Sequence, residues 1–169
     1  YVEEQMAGLG SNILIVTRGK IETKGGPPII GSARHKLTLN DSRILEKKGY
    51  LFGGVAPVVF GTAEVRYQNR SRNISVLGVT PAFQDVRNLH VEIGSFLGEA
   101  DVDARRRVCV LGRTVKRELF GNANALGQTV KVAGTLFRVV GIMEKKGISL
   151  AIDIDDLVFV PVRTAQELF

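Results

Sequence analysis

The residues best able to do chemistry in this chain are few and far apart. Its two histidines, His35 in "ARHK" and His90 in "NLHVEIG", lack the short spacing by which imidazoles on one helix or turn share a zinc ion. Both read as structural or solvent-facing side chains. The run "IDIDD" brings Asp153, Asp155 and Asp156 together as a calcium loop would, yet the central glycine and closing glutamate of an EF-hand are missing. A solvated lead-in to a strand suits them better. "GLGSNI", from Gly8 to Ile13, begins like a dinucleotide fingerprint but has no third glycine and precedes its strand instead of following it. No Walker A pattern occurs. Cys109, the one cysteine, sits in "RVCVLG", where a small apolar core residue is expected, and a single cysteine forms no internal disulfide. With no nucleophile, base and phosphate loop assembling, the sequence predicts a noncatalytic chain without a cofactor or a metal.

Charge narrows the choice of partners without settling it. With 23 basic against 17 acidic residues the net charge is +6, which favours an anionic neighbour: a lipid surface, a nucleic acid or an acidic protein. The basic residues are spread out, with clusters at Arg105, Arg106 and Arg107 and at Arg66, Arg70 and Arg72, and these read as solvated faces. "RYQNRSRN" sets one tyrosine among arginines without the aromatic interleaving of a nucleic-acid platform. A charged hairpin turn accounts for it, so no nucleic-acid partner is expected. Asn69 and Asn73 each stand in an Asn-x-Ser pattern, which matters only where secreted proteins are glycosylated.

The elements that would hold these residues are mixed. At 169 residues, 44% hydrophobic and 24% charged, the chain has room for one ordinary domain or two small ones with a real core. Its apolar runs, such as "NILIV" and "DLVFVPV", fall well short of the roughly 18 residues of a membrane span. "NILIVTRG" reads as a strand. Residues 19–36, with adjacent prolines and four glycines, read as a mobile loop. "LTLNDSRILEKKG" reads as a short helix capped by Asn40, stapled by Leu39 and Ile44, and stopped at Gly49. "VAPVVFGTAEVRYQ" and "RNISVLGVTPAF" form a hairpin turning near Asn69–Asn73. Strand "RRVCVLG" and helix "RTVKRELFG", with Val115 and Leu119 on one face, follow. A second hairpin turns at Ala133 and Gly134, and "DLVFVPV" is a last strand.

Both ends suggest helices that belong to a longer polypeptide. Thr164 and Glu167 form a capping box with only Leu168 and Phe169 beyond it, and Glu3 to Ala7 are helix formers running to glycines at Gly8 and Gly10.

In order, "GLGSNILIV", "LTLNDSRIL", "VAPVV", "VLGVTPAF", "RRVCVLGRTVKRELFG", "ALGQTVKVAGTLFRVVGIMEKKG" and "DIDDLVFVPVRTAQELF" resemble the extracytoplasmic core domain of MacB-type ABC transporter permeases, across nearly the whole chain. Val108 to Val140 and Val158 to Pro161 carry the most specific part. The resemblance implies an α+β fold lying between the first and second transmembrane helices, with a porter-like strand-helix-strand subdomain and an inserted smaller mixed α/β subdomain. It places the first porter portion at residues 1–90, with residues 1–8 as the end of a stalk helix, and the insert at residues 91–169, the rest of the porter lying outside this chain. Its implied partners are the transmembrane helices of the same permease, a cytoplasmic ATPase domain or subunit where ATP is hydrolysed, a periplasmic adaptor protein, and a second copy in a homodimeric transporter of the cell inner membrane. Gly8, Gly10 and Asn12 would form the junction at which a tilt of the stalk displaces the domain. The alternative from another class is a free-standing ligand-binding or enzymatic module whose site is completed by an absent segment.

Overall fold

The computed structural model describes residues 2–5, 13–16, 38–47, 54–149 and 152–169. Residues 19–36, His35 and the three junction residues Gly8, Gly10 and Asn12 lie outside them. The chain divides into two compact units, residues 1–45 and 46–169.

In the first unit, β1 (Val2–Gln5) pairs antiparallel with β2 (Ile13–Val16), Val2 opposite Val16 and Gln5 opposite Ile13. The helical stalk end expected over residues 1–8 is therefore a strand at Val2–Gln5. Glutamate and glutamine have helix propensities of only tenths of a kcal/mol, and pairing with a strongly β-forming partner outweighs so weak a preference. Helix α1 (Leu39–Lys47) forms where its periodicity predicts, but Thr38 caps it, not Asn40. The Asp41 amide donates to Thr38 Oγ1 at 3.4 Å and the Thr38 amide donates to the Asp41 carboxylate at 2.8 Å. The cap lies two residues early because Thr38 and Asp41 have the spacing that satisfies two exposed amides reciprocally, and Leu39 falls within the first turn instead of ahead of it.

The second unit is built on one sheet. Its strands are β3 (Val59–Tyr67), β4 (Arg70–Val79), β5 (Val91–Gly94), β6 (Val108–Leu111), β7 (Thr129–Val132), β8 (Thr135–Met143) and β11 (Leu157–Pro161). Between β8 and β11 a small ribbon pairs β9 (Ile148–Ser149) with β10 (Ile152–Asp153). In the large sheet, β8 pairs with β6, β6 with β11, β11 with β4, β4 with β3, β3 with β7, and β7 again with β8. Six strands thus close into a ring, while β5 continues along β8. Closure leaves most strand edges paired. Strands from before residue 90 (β3, β4) and after it (β6, β7, β8, β11) share this sheet, so it does not part where residues 1–90 and 91–169 were expected to separate; the compact units meet at Leu45 and Glu46 instead. The reason is non-local: β4 and β11 lie parallel, Leu157 opposite Ser75 and Pro161 opposite Val79.

Both hairpins form. The first turns on Gln68 and Asn69, with Tyr67 opposite Arg70, tighter than the expected Asn69–Asn73 turn, so that Arg70 to Asn73 belong to β4. The second turns on Ala133 and Gly134, both at positive φ (51° and 79°), as a two-residue turn matching the strand twist requires. Short helices α2 (Ala82–Val86), α3 (Glu99–Asp103), α4 (Arg113–Phe120) and α5 (Val162–Leu168) complete the α+β fold.

The core has two layers. One holds Val65, Ile74, Val76, Cys109, Leu111, Val132, Phe137, Val139, Val158 and Val160, with Val115, Leu119 and Phe120 from α4 and Ala165 from α5. The other, on the opposite side of β4, β6 and β11, holds Leu77, Val79, Val110, Leu157 and Phe159 with Phe83, Leu89, Leu97 and Met143. Helix α5 comes close to β4: a Cβ on Gly78 would lie 2.3 Å from that of Ala165, so only glycine allows the approach.

Helix α5 starts directly after Pro161, earlier than a cap at Thr164 would place it. The Thr164 hydroxyl instead donates to the Arg106 carbonyl at 3.0 Å, and Glu167 accepts from Arg105 at 3.0 Å. Burial of Thr164 against the chain leading into β6 made this bond available, and proline at Pro161 already presets the backbone for a helix start.

Candidate functional site

The acidic turn is the most highly connected polar feature of the second unit. Ile154–Asp156 forms one turn of 3-10 helix, capped by the Asp153 carboxylate, which accepts from the Asp155 amide at 3.1 Å. Asp155 is 6% exposed, contrary to the solvated lead-in expected. Its two carboxylate oxygens accept from the Lys146 amide at 2.8 Å and the Gly147 amide at 2.9 Å, which ties the strand-end segment after β8 to the lead-in of β11. A buried carboxylate needs such donors, and both of its oxygens have one. Next to it, the Asp156 carboxylate accepts from the two terminal guanidinium nitrogens of Arg72, at 2.9 and 3.3 Å. Gly112 closes the arrangement: its amide donates to the Leu157 carbonyl at 2.8 Å, and a Cβ there would fall 2.3 Å from the Asp155 carbonyl oxygen. The turn into α4 thus rests on the backbone of the acidic turn, and α4 ends with Phe120 stacked on Tyr67, ring centroids 3.9 Å apart. This is a clasp that joins β8, β11, β4 and α4. Each carboxylate oxygen of Asp155 accepts from a backbone amide, and among the described residues no group of three His, Cys, Asp or Glu side chains could hold a metal.

His90 is exposed, and its carbonyl accepts from the Glu144 amide at 2.8 Å. It borders a shallow cleft of about 220 Å³ lined by Asn88, Leu89, Glu144, Lys145 and Lys146. Those side chains provide charge but no nucleophile. Cys109 is wholly buried, and desolvation pushes its thiol up to about 12, so it stays protonated and inert. The basic clusters are partly consumed by pairing: Arg105 with Glu167, Arg106 with Asp101, Arg66 with Glu64 and Arg72 with Asp156. Arg113 also pairs with Glu92, joining α4 to β5. The proposed junction at Gly8, Gly10 and Asn12 lies outside the described residues, between β1 and β2 in the chain.

The clasp was not read from the sequence, although a signal was there. Ile152, Ile154 and Leu157 flank the aspartates, and an apolar residue on either side of an acid favours burial over solvation.

The second unit is thus a closed strand ring with helices on it, its acidic turn held by backbone amides and by Arg72. Residues 1–169 match the family described as MacB-like periplasmic core domain, and the chain belongs to that family. Among curated relatives, the macrolide export ATP-binding/permease proteins MacB of Bdellovibrio bacteriovorus and of Chlorobium luteolum are each 34% identical over 165 residues, 98% of this chain but 25% of theirs. The chain therefore spans about a quarter of the length of these relatives. The crystal structure of the periplasmic region of MacB from Actinobacillus actinomycetemcomitans is similar with a TM-score of 0.69 and 28% identity, over 78% of this chain and 58% of that one. The extracellular domain of the noncanonic ABC-type transporter YknZ from Gram-positive bacteria shares the fold, with a TM-score of 0.58 at 21% identity over 66% of this chain and 56% of that one.

Proposed function

We propose that this chain is the noncatalytic periplasmic domain of a MacB-type ABC transporter permease of the cell inner membrane, relaying ATP-driven movement of the membrane helices to a substrate or a periplasmic adaptor. The observation that carries this is the family match along all 169 residues. ATP would be hydrolysed on a cytoplasmic ATPase domain or subunit, and the transporter would act as a homodimer. The ring suits a relay. A strand in an open sheet can slide or peel at its edge, whereas a ring closed through six pairings moves as a body, so displacement at one side reaches the other undiminished.

Location is tested by placing a cysteine at the exposed turn residue Asn69 of the full-length protein. Buried Cys109 gives no background. A membrane-impermeant maleimide added to spheroplasts should label Asn69→Cys; labelling only after membrane lysis would refute a periplasmic position. The relay is tested at the junction. Gly10→Val in the full-length transporter should lower export per ATP hydrolysed, because a β-branched residue is barred from many backbone angles that glycine adopts freely. An unchanged ratio in a folded variant would remove Gly8, Gly10 and Asn12 from the mechanism.

A further inference from the structure

The outward face of β3, β7 and the first half of β8 carries a line of cations, two of which, Lys131 and Arg138, the fold itself does not use. Along these strands Val65, Val132, Phe137 and Val139 point into the core, so Arg66, Lys131, Leu136 and Arg138 stand on the opposite, solvent side, all exposed. Arg66 lies directly opposite Lys131. Lys131 lies directly opposite Leu136, and Arg138, two residues on, lies opposite Thr129. Arg107 adjoins them, its carbonyl accepting from the Arg138 amide at 3.0 Å. Glu64 pairs with Arg66, but Lys131 and Arg138 enter no ion pair among the described residues.

Two features of this face run against stability. Like charges directly opposite across a strand pair are unfavourable, and an acid at Lys131 would have cured that. Leu136, 55% exposed, is a large apolar side chain in the middle of the charges. Both features are relieved by the same thing: a negatively charged, partly apolar surface laid over the face.

We infer that this face docks an extended acidic segment of a partner protein, with carboxylates meeting Lys131 and Arg138 and an apolar side chain on the same face of the segment meeting Leu136. Spacing favours an extended polypeptide. Side chains on one face of a strand recur at about 6.6–6.8 Å, and diagonal neighbours such as Lys131 and Arg138 stand about 7–8 Å apart. A nucleic acid would look for aromatic platforms interleaved with the cations; Tyr67, next to Arg66, is stacked on Phe120, and the exposed ring on this face of β3, Phe60, stands six residues from Arg66. The inference concerns this face alone and does not rest on the transport reading.

The test uses the 169-residue chain and a fluorescent peptide of about nine residues, matching one strand, whose same-face positions when extended read glutamate, valine, glutamate, valine, glutamate. A lysine-valine peptide and phosphatidylglycerol vesicles serve as the other arms. The acidic peptide should bind, the basic one should not, and binding should weaken with added salt. Lys131→Glu combined with Arg138→Glu should lower its affinity about tenfold or more, as reversal of two contacting charges does. Lys131→Glu alone should at the same time raise the thermal midpoint of the free chain, because it turns the opposition to Arg66 into an attraction. Leu136→Ser should weaken binding without altering the fold, which keeps the proposal testable should the double reversal misfold. Equal binding of the acidic peptide to wild type and reversed chain, no binding at all, or binding of the vesicles in its place would overturn the assignment.

Discussion

The wall of the ring formed by β6, β11 and the second half of β4 is covered on both sides, whereas the wall formed by β3, β7 and the first half of β8, Thr135 to Arg138, is wetted on one. In β11 all of Leu157, Val158, Phe159, Val160 and Pro161 are buried, and from Val76 to Val79 β4 is buried too. In β7 the pattern alternates strictly, with Val130 and Val132 buried and Thr129 and Lys131 exposed. The difference comes from what lies outside. Phe83, Leu89 and Leu97 cover the first wall, whereas Glu64, Arg66, Lys131, Leu136 and Arg138 on the outer face of the second are exposed. Rigidity and recognition are thereby divided: one wall is held by packing on two fronts, the other can present charge.

The largest effect should come from the doubly covered wall. Phe159 is fully buried, with Phe83 and Phe96 at centroid distances of 5.8 and 6.0 Å, and Phe159→Ala should cost about 3–5 kcal/mol in urea unfolding. A cost below about 1 kcal/mol, the range of a surface change, would mean the outer cover is loose and the comparison fails.

The clasp should rank next. Asp155→Ala leaves the Lys146 and Gly147 amides without acceptors and should cost about 1–3 kcal/mol. Gly112→Ala, which drives a methyl into the Asp155 backbone, should cost a similar amount by overpacking. Combining the two should give less than their sum, since both disturb the Ile154–Asp156 turn; strict additivity would separate the turn into α4 from the clasp.

Cys109 sharpens the comparison through pH. Its folded thiol titrates at about 12, above the ordinary cysteine value near 8.5 of an unfolded chain, so the unfolded state loses its proton first as pH rises. The associated stability is complete below the unfolded value and is lost as pH climbs toward the folded one. Cys109→Ala should flatten that alkaline decline. Native thiol labelling at mild pH should be slow and should keep pace with unfolding; rapid labelling would show β6 open on one side.

The smallest effects belong to the wetted wall and its rim. Arg105→Ala, which breaks a pair whose members are more than half exposed, should change stability by no more than about 0.5 kcal/mol. A larger loss would show that the Arg105–Glu167 contact anchors α5.

Much of this was legible locally. The alternation of "TVKV" and "TLFRVV" and the pair Ala133–Gly134 announce a hairpin, and "RTVKRELFG" announces α4 with Val115 and Leu119 inward, because side-chain period and turn chemistry act over a few residues. Boundaries read less well where two local solutions compete, as with Thr38 against Asn40 or Pro161 against Thr164. The short elements α2, α3 and β5 escaped notice because four or five residues carry too little periodicity to register.

By itself the sequence determined the longer elements of the second unit, the burial of Cys109 and, through the order of its motifs, the family; each depends on residues close together in the chain or on a pattern kept in order. Only the tertiary structure decided that β4 and β11 lie side by side in parallel, that the ring closes through β7, that Asp155 is buried under two backbone amides, and that Arg66 meets Lys131. Those are contacts between distant segments. Their free energy comes from surfaces that meet only once the chain has closed on itself, and no window of neighbouring residues contains both sides of such a contact.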